Sequence, residues 1–264
     1  MTTERASFSR GSYDGVAAAA LAARLGVCEL VALDTTPSTL DVAHALAAAG
    51  APDGTLVLAD TQTAGRGRSG KRWISTPGTG IWLTMVERRL DPATISLLAL
   101  RLGIAAADAL EPFTTGFTSR FTSAAIGVKW PNDLYLGQAK LAGILVEARW
   151  RDGAPEWVAI GIGVNVRPPA ELQGAAGLRP GVSRLEVLDV LVPALCAASV
   201  RTGELSSDEL SSLARRDIAR GRAAVAPSQG VVDGVSPAGE LVIRAPDGAI
   251  TSHRSGSLVF AEAP

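Results

Sequence analysis

Cysteine, lysine and asparagine are scarce in this sequence of 264 residues, and no uninterrupted apolar run approaches the roughly 18 residues of a membrane-spanning helix. The two cysteines, Cys28 and Cys196, stand far apart without zinc-type spacing. This disfavours a zinc site or a disulfide scaffold and favours a reducing compartment. The formal net charge is −1, so there is no basic excess for binding nucleic acid or membranes. We expect a cytoplasmic protein with neither kind of partner.

The hydrophobic content is sufficient for a substantial core. Hydrophobic residues make up 47% of the chain and charged residues 19%, which excludes wholesale disorder. The alanine-rich segment 15–23 could form the core of a signal peptide, but Glu4 and Asp14 precede it where a signal peptide needs positive charge. We predict an ordinary helix there, with Ser12 as its N-cap and Gly26 just beyond its end.

The few lysines and asparagines are confined to a small part of the sequence. The chain has three lysines among 25 basic residues and two asparagines: Lys71, Lys129, Lys140, Asn132 and Asn165. All lie in three segments: GRGRSGKRW (65–73), GVKWPNDLYLGQAKLAGIL (127–145) and GIGVNV (161–166). A composition rich in Ala, Gly, Val and Arg is typical of a G+C-rich genome, which disfavours Lys and Asn codons. These residues therefore remain either by chance or because a compact ammonium or a two-way amide is needed.

Hydrophobic periodicity predicts an α+β fold with a mostly antiparallel sheet. Strands are predicted at 28–33, 55–60 and 80–87, then four consecutive strands joined by tight turns, including Asp152-Gly153, at 126–130, 133–137, 141–150 and 156–166. Helices are predicted from a capping box at Ser38 and Asp41 to Ala49, closed by Gly50, and at Pro92–Leu110, Arg184–Arg201 and Ser207–Arg220. The stretch 111–125 has no clean period and is predicted to be a loop.

The last forty-odd residues differ in character from the rest. From Ala223 onward, short β-prone pieces alternate with turns rich in proline and glycine, which predicts a small antiparallel barrel. Such a barrel is too small to be stable alone, so we expect it to pack against the main domain. The predicted domains are therefore 1–220, which carries the candidate site, and 221–264.

The glycine loop GRGRSG fits two phosphate-binding patterns incompletely. Gly65, Gly67 and Gly70 satisfy G-x-G-x-x-G, with Glu87 about where a ribose-binding acid would stand, and Gly65 to Lys71 nearly satisfy a Walker A motif. Both patterns require a helix directly afterwards, and RWISTPGTG does not favour one. Arg72 also stands where the Walker motif has its metal-binding hydroxyl. We reject both readings.

Four cations remain in this loop, spaced by glycines that let the backbone approach a ligand: Arg66, Arg68, Lys71 and Arg72. Like charges at this spacing repel one another until an anion binds, which favours a phosphate ester as ligand over a solvated basic loop. Trp73 follows directly and is costly to expose, so it can cover a flat ring.

Together, the three segments resemble the biotin–protein ligases (biotin–[acetyl-CoA-carboxylase] ligases). In that family a GRGR…W loop, KWPND, KLAGIL and a G-x-G-x-N strand occur in this order. The resemblance runs from about Leu30 to Arg167, with a weaker match through the C-terminal region. It implies an antiparallel sheet flanked by helices, similar to class II aminoacyl-tRNA synthetases, followed by an SH3-like barrel.

The resemblance implies a two-step reaction with ATP and Mg²⁺. The biotin carboxylate attacks the α-phosphate, pyrophosphate leaves, and biotinyl-5′-AMP then acylates a lysine on the biotin carboxyl carrier domain of an acetyl-CoA or acyl-CoA carboxylase. A lipoate–protein ligase and a non-catalytic protein that binds an adenylate or a carrier domain remain as alternatives. Only about 30 residues precede the match, half of a winged helix, so we do not expect a repressor. We expect a monomer or a weak homodimer.

Residue by residue, the resemblance implies three overlapping sets. The biotin-binding set is Ser38, Thr39, Gln62, Gly65, Arg66, Lys140 and Gly143. The ATP-binding set is Arg68, Lys71, Trp73, Lys129, Asn132 and Asn165. The catalytic set is Arg66, Arg68, Lys140 and Asp133. Asp133 is also a candidate metal ligand or acceptor of the proton from the attacking lysine, and Arg68 is expected to hold the loop over the adenylate.

Two positions depart from the family pattern. Leu40 stands where members usually have Asn after the Ser-Thr pair, so a polar contact of that side chain is missing. Lys71 stands where Arg is common; it keeps the charge but loses the guanidinium fork, which puts part of the ATP binding in doubt.

Overall fold

The computed structural model describes residues 11–88, 91–114, 126–170 and 172–261. The α-helices within these residues are α1 (Ala18–Leu25), α2 (Thr39–Ala48), α3 (Ile95–Leu110), α4 (Arg184–Ser199) and α5 (Ser207–Arg216). The β-strands are β1 (Ser12–Tyr13), β2 (Val16–Ala17), β3 (Leu30–Thr36), β4 (Thr55–Gln62), β5 (Gly80–Glu87), β6 (Ile126–Lys129), β7 (Asp133–Leu136), β8 (Ala139–Arg151), β9 (Ala154–Asn165), β10 (Ala223–Ala226), β11 (Gly230–Val235), β12 (Leu241–Arg244), β13 (Ile250–His253) and β14 (Val259–Phe260).

A seven-stranded sheet forms the centre, in the order β3-β4-β5-β9-β8-β7-β6. β3 and β4 run parallel with α2 as their crossover, and the remaining neighbours pair antiparallel. The four consecutive strands predicted from hydrophobic alternation are confirmed as β6 to β9. Asp152 and Gly153 both have positive φ, at 51° and 81°, at the turn between β8 and β9. The predicted mostly antiparallel sheet flanked by helices is thus confirmed.

Helix α3 is the main core helix, and it packs against α4 and against β8. The 22-residue stretch Pro92–Phe113 is long and apolar enough to cross a membrane, since an 18-residue window in it has a mean hydropathy of 1.6, yet 61% of that window is buried inside the protein. Its Arg101 is only 1% exposed and donates to Glu209 of α5 at 2.8 Å and to three backbone carbonyls nearby. A buried charge requires such partners, so this pair joins α3 to α5.

Several helix boundaries differ from the predictions. Ser12 lies in β1 and does not cap α1, whose N-cap is Ala17, whereas Gly26 ends that helix in the left-handed conformation as predicted. Ser38 is the N-cap of α2, but its side chain makes no capping bond. The predicted capping box does not form because Asp41 pairs with a residue of the glycine loop, Arg66.

Two further boundaries are set by tertiary contacts. A single 3₁₀ turn, Pro92–Thr94, precedes α3, so the α-helix proper begins three residues after the predicted start. Helix α5 ends at Arg216, because the chain becomes extended at Asp217 and the amide of Ile218 donates to the carbonyl of Val128 in β6. Most of the predicted loop 111–125 lies outside the described residues.

The C-terminal strands form a five-stranded antiparallel sheet in the order β13-β12-β11-β10-β14. β13 and β14 remain at its two edges, so the predicted barrel is an open sheet instead of a closed one. Its inner face joins the main core, and Trp130 donates from Nε1 to the carbonyl of Gly239 at 3.0 Å. The expected packing of this unit against the main domain is therefore present, and it places β14 beside the candidate site.

Candidate active site

A cavity of about 680 Å³ lies where the three motif segments meet. Every site residue predicted from the sequence lines it except Gly65: Ser38, Thr39, Gln62, Arg66, Arg68, Lys71, Trp73, Lys129, Asn132, Asp133, Lys140, Gly143 and Asn165. Gly65 lies behind the loop, where an added Cβ would stand 2.6 Å from the carbonyl oxygen of Trp73. The sequence segments thus converge on one concave site.

One corner of the cavity is polar and already organised. Gln62 Oε1 accepts from the backbone amide and the hydroxyl of Thr39, at 2.9 and 3.1 Å, and Gln62 Nε2 donates to Ser75 Oγ at 3.0 Å. Thr84 Oγ1 donates to Thr39 Oγ1 at 2.8 Å. Ser38, 1% exposed, keeps a buried hydroxyl without a hydrogen-bond partner. An unsatisfied buried polar group costs about 1–3 kcal/mol, so a polar ligand atom in this corner would be stabilised.

The floor of the cavity is made of glycine backbone covered by an indole. Gly143 of β8 and Gly163 of β9 lie opposite each other in the sheet. A Cβ at Gly163 would stand 2.5 Å from Trp73 Cε2, and one at Gly143 would stand 3.1 Å from Trp73 Cζ3. The indole Nε1 of Trp73 is buried without a partner, and Lys140 Nζ lies 5.3 Å from the ring centroid. Glycine at positions 143 and 163 therefore leaves room for the flat indole of Trp73, which a larger residue would displace.

The opposite end of the cavity is crowded with positive charge. Burial lowers the pKa of the Lys129 ammonium, and the nearby Lys140, Lys71 and Arg222 lower it further, against the opposing effect of Asp133. Burial likewise lowers the pKa of Arg68, whose Nη1 donates to Asn132 Oδ1 at 3.2 Å. Depressed cation pKa values indicate an unmet need for negative charge. An anionic ligand meets that need, as the sequence predicted.

The glycine loop is a short hairpin. Arg66 and Arg72 form an isolated antiparallel bridge, and the amide of Gly67 donates to the carbonyl of Lys71 at 2.7 Å. No helix follows in residues 71–79, which the structure describes throughout, so the dinucleotide and Walker readings are excluded. Glu87 lies at the end of β5, 4% exposed, where Ser199 donates to it, and is not a ribose ligand.

Both asparagines hold backbone at the rim. Asn132 Nδ2 donates to the carbonyl of Ile144 at 2.8 Å, and Asn165 Nδ2 donates to the carbonyl of Lys140 at 3.1 Å. The main chain of Lys140 also bonds to Gly174 and Ala176 in the segment after β9. These contacts fix the backbone of Lys140, whose side chain lines the cavity.

The predicted site residues include one carboxylate, that of Asp133, as a candidate ligand for a divalent cation. No group of three or more His, Cys, Asp or Glu with metal-binding proximity occurs in the parts of the chain that the structure describes. Asp133 Oδ1 lies 2.7 Å from Lys140 Nζ, in an ion pair without good hydrogen-bond alignment. Mg²⁺ is commonly held by one or two carboxylates together with substrate phosphates, so the donors fit a metal that arrives with a phosphate ligand.

Two groups of residues, one lining the cavity and one beside it, were not predicted. Arg222 directly precedes β10, and Phe260 belongs to β14. Arg222 Cζ lies 3.4 Å and Lys129 Nζ lies 5.0 Å from the centroid of the Phe260 ring. Asp41 and Glu147 bind Arg66. The C-terminal pair carries no motif. Glu147 follows KLAGIL on the same strand, β8. The alternation of side chains along that strand was the one sequence signal that could have pointed to it.

Comparisons with known proteins agree with this geometry. Residues 32–165 match the family described as Biotin/lipoate A/B protein ligase family. The chain is 34% identical over 211 residues to the biotin–[acetyl-CoA-carboxylase] ligase of Paracoccus denitrificans, covering 73% of this chain and 85% of the relative. It is 37% identical over 147 residues to the bifunctional ligase/repressor BirA of Bacillus spizizenii, covering 54% of this chain and 42% of the relative. The chain thus spans less than half of that longer relative.

Solved structures show the same fold. The biotin protein ligase from Aquifex aeolicus in complex with biotin and ATP superimposes with a TM-score of 0.66 at 25% identity, covering 88% of this chain and 99% of the other. The biotin protein ligase of Leishmania major in complex with biotinyl-5-AMP gives a TM-score of 0.56 at 22% identity, covering 84% and 97%.

Proposed function

The chain belongs to the biotin/lipoate A/B protein ligase family, and we propose that it attaches biotin to a lysine of a carrier domain at the expense of ATP. One observation carries this proposal. A single cavity joins an organised polar corner with a free buried Ser38 hydroxyl, a flat apolar floor where the Trp73 indole lies on glycine backbone, and a crowded set of cations. These three features suit a ureido ring, an apolar bicycle and a carboxylate beside a triphosphate.

In the first step, a biotin carboxylate oxygen attacks the α-phosphorus of ATP. The bond from that phosphorus to the bridging oxygen breaks, and pyrophosphate leaves with the electron pair. We assign Arg66 and Lys140 to the carboxylate and the α-phosphate, and Lys71 and Lys129 to the phosphates of the leaving group. Fixed cations at developing negative charge stabilise such a transition state without reorganisation. A magnesium ion would supply further neutralisation of the phosphates, with Asp133 as its protein ligand.

In the second step, the acceptor lysine amine attacks the acyl carbon of biotinyl-5′-AMP. The amide bond forms, the bond to the phosphate oxygen breaks and AMP leaves, while the attacking nitrogen loses a proton. Asp133 carries the only carboxylate among the described residues that line the cavity, and it pairs with Lys140 at 2.7 Å. We assign it to accept that proton. No protein nucleophile is required, and Cys28 and Cys196 do not line the cavity.

The polar corner also favours biotin over lipoate. Ser38, Thr39 and Gln62 present hydrogen-bonding groups that an apolar dithiolane ring would bury without partners, at a cost in affinity. The ligases of Paracoccus denitrificans and Mycobacterium tuberculosis, at 34% and 38% identity, are both named for acetyl-CoA carboxylase. We propose the biotin carboxyl carrier domain of an acetyl-CoA or acyl-CoA carboxylase as the acceptor, and a cytoplasmic location.

Exchange of radiolabelled pyrophosphate into ATP tests this function. We expect exchange that depends on biotin and is unaffected by lipoate. Exchange that depends on lipoate would identify a lipoate ligase, and no exchange with either acid would indicate a protein that binds without adenylation.

A further inference from the structure

Arg66 is held by two carboxylates from different elements. Its Nη1 lies 2.8 Å from Asp41 Oδ1, in the first turn of α2, and its Nη2 lies 3.0 Å from Glu147 Oε2 on β8. Both terminal nitrogens of the guanidinium therefore already serve a carboxylate. One positive charge shared between two negative charges leaves a local net charge of −1 beside the cavity.

A second pair of side chains fixes Glu147. The indole Nε1 of Trp157 donates to His44 Nδ1 at 2.9 Å, and His44 Nε2 lies 3.0 Å from Glu147 Oε2. An indole only donates, so Nδ1 must be the acceptor and the imidazole proton must sit on Nε2. His44 therefore donates to the same Glu147 oxygen that binds Arg66. This chain of bonds holds the carboxylate in place independently of the glycine loop.

Among the described residues, no other cation of the site is held by two carboxylates; Lys140 pairs with Asp133 alone. Arg68 bonds to the neutral amide of Asn132, and across the described ranges neither Lys71 nor Lys129 has an ion-pair partner within 4.0 Å. Arg66 is thus the loop cation whose charge is already neutralised before a ligand binds. A ligand carboxylate gains its full attraction only when one of the two internal carboxylates gives up its contact.

We infer that Asp41 and Glu147 compete with the ligand carboxylate for Arg66, and that His44 positions Glu147 for this competition. The two acids act as an internal substitute for the ligand: they hold the base of the loop when the site is empty and lower the affinity for biotin. This inference rests on the proposed function, because it takes the biotin carboxylate as the competing group.

The competition predicts a gain of affinity on removal of either acid. Exposed ion pairs are individually weak, so Asp41→Asn and Glu147→Gln should each lower the Kd for biotin by about two- to fivefold. An acid that only supported the loop would give the opposite result, since its loss would weaken binding. His44→Leu should give a smaller gain, because Glu147 keeps its charge but loses the donor that orients it.

Titration calorimetry with biotin and with biotinol, the alcohol without the carboxylate, provides the test. Asp189→Asn is the matched control, because it removes one acid from an exposed pair with Arg24 on α1; its Kd should not change. Glu147→Asp keeps the negative charge but shortens the side chain, which withdraws the carboxylate from Arg66. Tighter binding of biotin by this variant would show that direct contact with Arg66, and not net charge, sets the affinity.

The expected result is tighter binding of biotin, but not of biotinol, by the Asp41→Asn and Glu147→Gln variants. Unchanged or weaker binding of biotin by both variants, with thermal unfolding showing them folded, would overturn the inference. An equal gain for biotin and biotinol would also overturn it, since it would indicate a general loosening of the loop. Failure of the parent protein to bind biotin would instead overturn the proposed function, and the inference with it.

Discussion

Lys140 and Asp133 form an ion pair of 2.7 Å between the adjacent strands β8 and β7, inside the cavity. The pair places the Lys140 ammonium beside Asp133, the carboxylate proposed to take the proton from the attacking lysine of the carrier domain. It also fixes the direction of a long side chain whose backbone is already held by the segment after β9. A cation oriented before the ligand arrives needs little reorganisation during the reaction.

Lys140→Ala should therefore slow adenylate formation strongly. The loss of one fixed group that stabilises developing charge costs about 3–4 kcal/mol, or 10²- to 10³-fold in rate. Lys140→Arg should not restore the rate, because a planar fork does not replace a compact ammonium. Pyrophosphate exchange in the two folded variants measures this. Full activity of Lys140→Ala would remove Lys140 from the catalytic set.

Arg68→Gly should still form biotinyl-5′-AMP but release it faster. The guanidinium makes a single hydrogen bond to Asn132 within the described protein and is otherwise free to close over the adenylate. Lost charge-assisted contacts are worth about 1.5–3 kcal/mol, which corresponds to about 10- to 10²-fold faster release. An avidin blot of a mixed lysate should then show many labelled proteins, where the parent labels mainly the carrier. Normal adenylate formation with only the carrier labelled would contradict this role.

Gly163→Ala should weaken biotin binding by displacing Trp73. The added methyl would stand 2.5 Å from Trp73 Cε2, closer than any ordinary contact, so the indole must leave the floor of the cavity. Gly103→Ala in α3 is the control, because its nearest neighbour lies at 3.8 Å. Intrinsic tryptophan fluorescence and the Kd for biotin should both change in the first variant only. An unchanged Kd in Gly163→Ala would show that the position of Trp73 does not matter for binding.

Glu87→Gln should make stability less dependent on pH. Burial raises the pKa of the Glu87 carboxyl to about 7 from an ordinary value of 4.5. Between about pH 4.5 and pH 7, the folded state therefore keeps a proton on Glu87 that the unfolded state releases. The stabilisation of the folded state by this proton is complete below about pH 4.5 and is lost as the pH rises to about 7. The neutral amide avoids the loss. Urea unfolding at pH 5 and pH 8 should show a larger gain for Glu87→Gln at pH 8, whereas exposed Glu204→Gln should show none. Equal gains at both values would contradict this.

The sequence was informative where charge and glycine are concentrated in motifs. GRGRSGKRW, KWPND, KLAGIL and GIGVNV carry the cations and the glycine floor, and the structure brings them together in one cavity. The four hairpin strands were equally clear, because each alternates apolar residues and ends at a turn signal. These features depend on residues that are neighbours in the chain.

The features that were not predicted depend on residues far apart in the chain. Arg66 and Glu147 are separated by 81 positions, and their pairing follows from the meeting of the loop with β8. Arg222 and Phe260 reach the cavity only because the C-terminal sheet packs on α3 and Trp130. The capping box failed for the same reason: a distant guanidinium competes for Asp41. Local patterns contain no information on such competition.

Transfer of biotin to a purified carrier domain tests the central claim most directly. The protein should be incubated with ATP, Mg²⁺, biotin and the carrier domain of an acetyl-CoA carboxylase, and the product analysed by intact mass spectrometry. The account predicts a carrier whose mass increases by one biotinyl group on its target lysine, no such product without ATP, and the same product formed about 10²- to 10³-fold more slowly with Lys140→Ala. A carrier unchanged in mass under the complete conditions, or one modified only in a parallel incubation in which lipoate replaces biotin, would contradict it.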